Sequence, residues 1–280
     1  MAITKEQASR DIQTKNWKLR YYEAGEGHPL ILIHGSGPGA TGWSNFSGNI
    51  EALAQPFHVY ALDMPGCGDS QASTKETLDH TGATIEFMDA LGIEKAALVG
   101  NSMGGIVTLS VAVEHPDRVS HVITMGSGSS PMPKLFSAGD GPTEGLKYLQ
   151  QAYRTPTPEA MMALVNIMVF DKTFATPELC KARSDAAMAR PDHLENFLGM
   201  LAKGGPINHW ASMEKLMQMQ IPALLIHGRD DRVVPYEHSL ILCAHIPNSR
   251  LVVLNRCGHW AMIEHAAEFN RMVTDFVLNN

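Results

Sequence analysis

The sequence predicts an α/β fold in which a mostly parallel sheet carries flanking helices and an inserted helical segment. Short apolar runs alternate with helical stretches as far as Met125, an alternation that implies right-handed crossovers between parallel strands. It stops at Gly126 and resumes at Pro222, with only helix-period segments between them. We therefore expect residues 1–129 and 217–280 to form the core domain and residues 130–216 to form a helical cap.

The apolar runs and helix-period segments give each element in order. Strands are expected at residues 18–24 (an edge strand), 30–33, 59–64, 96–99, 121–125, 222–226 and 251–254. Core helices are expected at 77–91, 106–113, 236–245 and after His259, and cap helices at 143–154, 158–169, 177–190 and 192–201. Apolar residues of the last helix recur at steps of three and four, so one face packs on the sheet.

Composition narrows the class of protein. A chain of 280 residues with 44% hydrophobic side chains can bury one large core. A net charge of −7 and an isoelectric point near 6.0 argue against nucleic acid or an anionic membrane as partner. No apolar run is long enough to span a bilayer, and the polar first 20 residues do not resemble a secretory signal. The four cysteines show neither metal-ligand nor disulfide spacing, so we expect a cytoplasmic protein without a bound metal.

The stretch around Ser102 predicts a nucleophile. An apolar run precedes it, Gly100, Gly104 and Gly105 crowd the turn, and a helical segment follows. This is the G-x-S-x-G pattern in its strand–turn–helix setting, where glycines let the two backbones approach closely. We expect the turn to expose the Ser102 hydroxyl at the carboxyl end of the sheet. The same turn would aim the Met103 N–H at developing negative charge.

A nucleophilic serine needs a base, and the base needs an orienting acid. The loop after the 222–226 run contains Asp230 and Asp231, and the loop after the last strand contains His259. Both loops belong at the same sheet edge as Ser102, and the chain order serine, acid, histidine is that of α/β-hydrolases. We predict the triad Ser102–Asp231–His259, with Asp230 as the alternative acid.

Two backbone N–H groups would complete such a site by forming an oxyanion hole. Met103 is expected to supply one of them. The other is expected from the glycine-rich loop at 34–40, through Ser36 or Gly37.

At this point several motifs together resemble one family, the meta-cleavage-product hydrolases, which are carbon–carbon hydrolases of bacterial aromatic degradation. The resemblance spans nearly the whole chain, including the cap. It is carried by His34-Gly35-Ser36-Gly37-Pro38-Gly39-Ala40 with Trp43-Ser44-Asn45, by Gly100-Asn101-Ser102-Met103-Gly104-Gly105, by Arg190-Pro191-Asp192-His193-Leu194-Glu195-Asn196-Phe197, and by Cys257-Gly258-His259-Trp260.

The resemblance implies an α/β-hydrolase domain under a helical lid, assembled as a homodimer or larger homo-oligomer and using no cofactor. The implied substrates are small molecules, the 2-hydroxy-6-oxo-hexa-2,4-dienoates that ring-cleaving dioxygenases make from aromatic compounds. It maps the dienoate-binding residues onto Asn45, Asn101, Arg183 and Trp260. Arg190, two turns beyond Arg183 on the same helical face, is the alternative carboxylate ligand.

Two other functions remain open from the sequence. A carboxylesterase or lactonase of the same fold would not need Arg183 and Asn45 directed at a second acidic group. A ligand-binding protein that keeps the fold would not need the complete triad. The size of the substrate's 6-substituent is also open, and we expect it to depend on cap side chains such as Met161, Met168 and Phe170.

Overall fold

The computed structural model describes residues 3–128 and 141–280. Eight strands form one sheet: β1 (Ser9–Gln13), β2 (Lys18–Ala24), β3 (His28–Ile33), β4 (Phe57–Leu62), β5 (Ala96–Asn101), β6 (Val119–Met125), β7 (Ala223–Gly228) and β8 (Ser249–Leu254). Their order across the sheet is β1-β2-β4-β3-β5-β6-β7-β8. The pairs β1–β2 and β2–β4 are antiparallel, and all the others are parallel, as the alternation of elements predicted.

The helices either flank this sheet or belong to the segment inserted between β6 and β7. They are α1 (Lys5–Ala8), α2 (Gly42–Leu53), α3 (His80–Ala90), α4 (Met103–Glu114), α5 (Glu144–Arg154), α6 (Pro158–Met168), α7 (Pro177–Met188), α8 (Pro191–Ala202), α9 (Met213–Gln218), α10 (Glu237–His245), α11 (Ala261–Glu264) and α12 (Ala266–Asn279). Side chains alternate across β3: Leu30 and Leu32 join one apolar cluster, and Ile31 and Ile33 join the other. This period-two burial on both faces explains why the run is continuously apolar.

The structure corrects two of the expected elements. The strand Lys18–Ala24 is not at the edge, because β1 pairs with it along its outer side. The expected last helix is two helices, since the backbone of His265 leaves the helical region at φ −122° and ψ 40°. Helix α2 was not foreseen: its first turn is rich in small polar residues, but a capping box between Thr41 and Ser44 starts it.

Helices α5 to α8 form the inserted segment between β6 and β7, and residues 141–216 contain no strand. The predicted core–cap boundary at 129/130 lies outside the described residues. Arg190, at the start of α8, donates Nη1 to the carbonyl oxygens of Gly68 and Ser70, which ties this segment to the core. None of the described helices has the length and apolar character that crossing a membrane requires.

Candidate active site

Ser102 lies in a strained turn between β5 and α4. Its φ of 54° and ψ of −116° lie in a region that non-glycine residues rarely adopt. The turn is held by the Ser102 N–H, which donates to the Met125 carbonyl at 2.8 Å, and by the Ser127 hydroxyl, which donates to the Ser102 carbonyl at 2.9 Å. A Cβ on Gly100 would overlap the carbonyl of Gly104, so the strand and helix can approach this closely only with glycine there.

Asp231 and His259 form a buried, hydrogen-bonded pair at the ends of neighbouring strands. His259 Nδ1 lies 2.7 Å from Asp231 Oδ2, and the exposed fractions of the two side chains are 3% and 0%. Burial by itself would raise the pKa of Asp231. His259 and His227 outweigh it and hold that pKa well below its usual range. Asp231 is therefore a carboxylate at neutral pH, able to orient His259 and to stabilise its protonated form.

The backbone around Asp231 fixes which of its oxygens faces His259. Oδ1 accepts from the N–H groups of Val233 and Val234 at 2.7 and 3.0 Å, so Oδ2 is left for the histidine. Asp230, the alternative acid, has its carboxylate 3.9 Å from Arg229 instead. The geometry thus favours Asp231 over Asp230.

The turn that carries Ser102, called the elbow below, and the loop that carries His259, called the histidine loop below, are in contact through Asn101. Its Nδ2 donates to the carbonyls of both Met125 and His259 at 3.3 Å. Between the described residues the Ser102 hydroxyl makes no hydrogen bond to His259. A hydrogen bond between nucleophile and base often forms or shortens only when substrate binds.

The two candidates for the second oxyanion-hole donor, Ser36 and Gly37 of the loop after β3, line different cavities. Ser36 and Met103 line the same cavity as Ser102, whereas Gly37 lines a neighbouring cavity. The buried Tyr153 side chain lines that neighbouring cavity together with Gly37. The shared cavity therefore favours Ser36 over Gly37 as the residue that acts beside Met103.

Arg183 is a buried cation without an acidic partner. Its exposed fraction is 6%, no carboxylate in residues 3–128 or 141–280 pairs with it, and its Nε has no hydrogen-bond acceptor. The guanidinium carbon lies 5.2 Å from the centre of the Trp260 ring, and one Nη lies beneath the Gly37 backbone. Burial lowers the pKa of Arg183, but an arginine stays protonated in proteins. This arrangement is suited to a bound anion.

Arg190, the alternative carboxylate ligand, is already paired. Its Nε and Nη2 donate to the two oxygens of Asp192 at 3.0 and 2.9 Å, in a two-pronged ion pair. With its Nη1 on backbone carbonyls as well, Arg190 has a complete structural role. The structure therefore favours Arg183.

The two candidate asparagines are buried with their amide groups partly engaged. Asn45 donates Nδ2 to the Thr41 carbonyl at 3.2 Å, within the first turn of α2. Asn101 lies under the same loop as Arg183, since a Cβ on Gly35 would come within 2.7 Å of Asn101 Oδ1. Each asparagine thus has its amide NH₂ anchored to the backbone.

A cavity of about 380 Å³ opens beside Ser102. Apolar side chains dominate its wall, and most come from the inserted helices, from the segment after them and from the loop after β7: Leu146, Leu149, Phe197, Leu201, Ile207, Trp210, Val233 and Val234. The three cap residues named from the sequence are elsewhere. Met161 and Met168 are 0% and 2% exposed in the core, and Phe170 lies on the surface against Arg256. That expectation was wrong, because helical periodicity cannot tell which apolar face meets a cavity.

Sequence reasoning also missed two polar residues that support the site. Ser127 holds the elbow carbonyl, as described above. His227 places Nε2 3.3 Å from Asp231 Oδ2 and 2.8 Å from the Val234 carbonyl, while Nδ1 lies 2.7 Å from the Ser239 hydroxyl. Its position at the end of β7, just before the acidic loop, was the available indication. No group of three metal-ligating side chains occurs among the residues described.

Comparison with known proteins agrees with this geometry. The family model for the α/β hydrolase fold matches residues 28–266. A 2-hydroxy-6-oxononadienedioate/2-hydroxy-6-oxononatrienedioate hydrolase of Cupriavidus pinatubonensis is 40% identical over 99% of this chain and 98% of its own. A 2-hydroxy-6-oxo-6-phenylhexa-2,4-dienoate hydrolase of Burkholderia cepacia is 40% identical over 94% of this chain and 92% of its own.

Among solved structures, a meta-cleavage product hydrolase from Pseudomonas fluorescens superposes with a TM-score of 0.83 at 33% identity, covering 95% of this chain and 96% of that one. The sheet order, the elbow at Ser102 and these relatives lead to one assignment. The chain is a hydrolase that belongs to the meta-cleavage product hydrolase family of the α/β-hydrolase fold.

Proposed function

We propose that this enzyme cleaves the carbon–carbon bond next to the 6-oxo group of 2-hydroxy-6-oxo-hexa-2,4-dienoates, using Ser102, His259 and Asp231. The observation that supports the proposal is Arg183, a buried arginine that pairs with no carboxylate among residues 3–128 and 141–280 and lies under the glycine-rich loop at 34–40. An ester with no second acidic group would leave that charge uncompensated in the enzyme–substrate complex. A dienoate carboxylate would compensate it through a two-pronged hydrogen bond.

The proposed chemistry gives each of these groups a role. Carbon is a poor leaving group, so the dienol first takes the keto form, which gives the departing carbon an electron sink. His259 removes the proton of Ser102, or of a water molecule, and the oxygen attacks the 6-oxo carbon. The N–H groups of Ser36 and Met103 stabilise the oxyanion, at about 3–4 kcal/mol per donor.

Collapse of that tetrahedral state breaks the bond between C5 and C6. The bonding electrons pass into an enolate that extends toward the carboxylate end held by Arg183, and protonation gives a 2-hydroxypenta-2,4-dienoate. By the serine route, water activated by His259 then hydrolyses the acyl-Ser102 ester and releases a carboxylic acid. A cytoplasmic location and assembly as a homodimer or larger oligomer are part of this proposal.

Replacing Arg183 tests the proposal directly. Arg183→Gln removes the charge and the guanidinium fork, and a charged hydrogen bond contributes roughly 1.5–3 kcal/mol, so dienoate kcat/KM should fall by about 10- to 100-fold. Hydrolysis of a small aryl acetate, which lacks the carboxylate, should change little. Both rates are measured spectrophotometrically on one preparation, which controls for misfolding.

Arg190→Gln is the matched control, because the Arg190 guanidinium is already engaged by Asp192 and by the carbonyls of Gly68 and Ser70 and is not required for the substrate carboxylate. We expect its dienoate-to-acetate rate ratio to match that of the wild type. Equal losses on both substrates in Arg183→Gln would make Arg183 structural and would contradict the dienoate assignment.

The cavity wall further indicates an uncharged 6-substituent. Among the described residues that line it there is no Lys, Arg, Asp or Glu, and only His238 could gain a positive charge, by protonation. Taking a carboxylate from water into such a wall without a partner costs several kcal/mol. We therefore propose that a phenyl or branched alkyl group is preferred over the carboxyethyl group of a nonadienedioate.

Paired substrates test this preference at pH 8, where histidines are ordinarily neutral. We expect kcat/KM for the 6-phenyl dienoate to exceed that for the nonadienedioate by about 100-fold, or about 2.7 kcal/mol. Gln150→Lys places a cation in the cavity wall and should reduce the difference in kcat/KM between the two substrates. Gln151→Lys, at the exposed neighbouring position, should leave that difference in kcat/KM unchanged. Equal or faster cleavage of the dioate by the wild type would overturn the preference.

A further inference from the structure

One carboxylate outside the triad binds both the histidine loop and the inserted helices. Glu264, the last residue of α11, accepts the N–H of Gly258 on Oε1 at 2.7 Å. Its Oε2 accepts the N–H groups of Phe170 and Asp171 at 2.7 and 3.1 Å. Gly258 immediately precedes His259, and Phe170 follows α6 by two residues. Both oxygens are thus used as acceptors, on two segments far apart in sequence.

The same two segments also meet through their backbones. The His259 N–H donates to the Met168 carbonyl at 2.6 Å. A Cβ on Gly258 would lie 2.9 Å from the Cα of Val169 and would overlap the Met168 carbonyl, so only glycine permits this approach. The backbone of His259 is therefore fixed by contacts with α6, with Asn101 and, through its neighbour, with Glu264.

We propose that Glu264 is a positioning residue that fixes His259 relative to the inserted helices. It touches neither Ser102 nor the cavity beside it, and acts through the peptide that carries the histidine. The inference rests on the proposed role of His259 as the base. It concerns a residue that the proposed mechanism does not otherwise use.

Only a carboxylate satisfies this arrangement. All three partners are N–H donors, so the site needs two acceptor oxygens on one side chain. A glutamine keeps the shape but replaces one oxygen with an NH₂ group. That donor would then face the N–H of Gly258 or the N–H groups of Phe170 and Asp171, where no hydrogen bond can form. Burial raises the pKa of Glu264, and the three N–H groups and nearby His265 oppose that rise. Lys172 and the buried Cys257 thiol also face it.

Displacement of a catalytic group by about 1 Å can cost about 100-fold in rate. We therefore expect Glu264→Gln to lower kcat by about 10- to 100-fold with KM for the dienoate nearly unchanged, because Arg183 still holds the substrate. Aryl acetate hydrolysis should fall by the same factor, since it uses His259 as well. The Nδ1 proton of ¹⁵N-labelled His259 should shift or broaden in the NMR spectrum. Glu268→Gln, a half-exposed carboxylate on the next helix that pairs with His265 at 3.7 Å and binds neither Gly258 nor the inserted helices, should change neither rate nor spectrum.

The aryl acetate arm separates this inference from the proposed function, because it reports on His259 even if dienoates are not the substrate. A wild-type kcat on both substrates in folded Glu264→Gln would overturn the inference. So would a rise in KM alone. If that variant does not fold, Glu264→Asp keeps the charge but is too short to bridge both segments, and it should show the same kcat loss to a smaller extent. A folded Glu264→Asp with wild-type kcat would equally overturn it.

Discussion

Replacing Ser102 with alanine is expected to lower dienoate turnover by about 10⁵- to 10⁶-fold, the loss seen when a triad serine is removed. The Ser102 side chain makes no capping hydrogen bond to α4, so the change removes no structural contact there. The melting temperature should therefore stay within a few degrees of the wild type. The decay of the yellow dienoate, followed spectrophotometrically beside a thermal melt, measures both quantities.

Ser127→Ala is the matched control, because this serine lines the same cavity and donates to the Ser102 carbonyl. Its hydroxyl supports the elbow without attacking substrate, so we expect a loss of at most about tenfold, equivalent to one neutral hydrogen bond. Arg183 is intact in Ser102→Ala, so the variant should still bind the dienoate with nearly unchanged affinity. Full turnover by Ser102→Ala would contradict the assignment of the nucleophile.

Asp231→Asn should cost about 10⁴-fold in kcat, on dienoates and on aryl acetates alike. Oδ1 is already occupied by the N–H groups of Val233 and Val234, so the new NH₂ would face His259 Nδ1. That contact selects the wrong histidine tautomer, the effect that the corresponding change has in serine proteases.

Asp230→Asn is the control for this prediction. Its carboxylate faces Arg229 across 3.9 Å at a partly exposed position, so we expect less than a threefold change in rate, as for a weak surface ion pair. The opposite ranking of the two variants would make Asp230 the orienting acid. Near-wild-type rates for both would remove the acid from the mechanism.

The fold was largely predictable because its periodicities are local. The apolar runs of β3 to β8 and the helix-period segments between Gly126 and Pro222 follow from burial of each strand or helix face, which a single sequence records. The elements that the sequence analysis missed lack such a periodic apolar pattern. The strand β1 is mostly polar because it lies at the sheet edge, and the first turn of α2, Gly42-Trp43-Ser44-Asn45, has one apolar side chain and depends on a capping box.

Candidate catalytic residues could be predicted from the sequence where their residue type and their position at the end of a strand identify them. Ser102, His259 and the acidic loop at 230–231 each follow a recognisable strand, so their shared sheet edge could be inferred. The sequence could not decide between two adjacent candidate residues. Ser36 and Gly37 differ in which cavity they line, and Asp230 and Asp231 differ in which side chain turns toward His259. These directions are set by loop geometry.

The sequence by itself determined the strand–helix order and the family, and it predicted the nucleophile, because local patterns and motifs carry that information. Only the tertiary structure distinguishes the two candidate arginines: Arg190 is paired with Asp192, whereas Arg183 is buried and pairs with no carboxylate in the part of the chain that the structure describes. It also decided that Met161 and Met168 fill the core while Leu146 and Phe197 line the cavity. The reason is physical: pairing, burial and the facing of a helix depend on contacts between segments far apart in the chain, which no local pattern encodes.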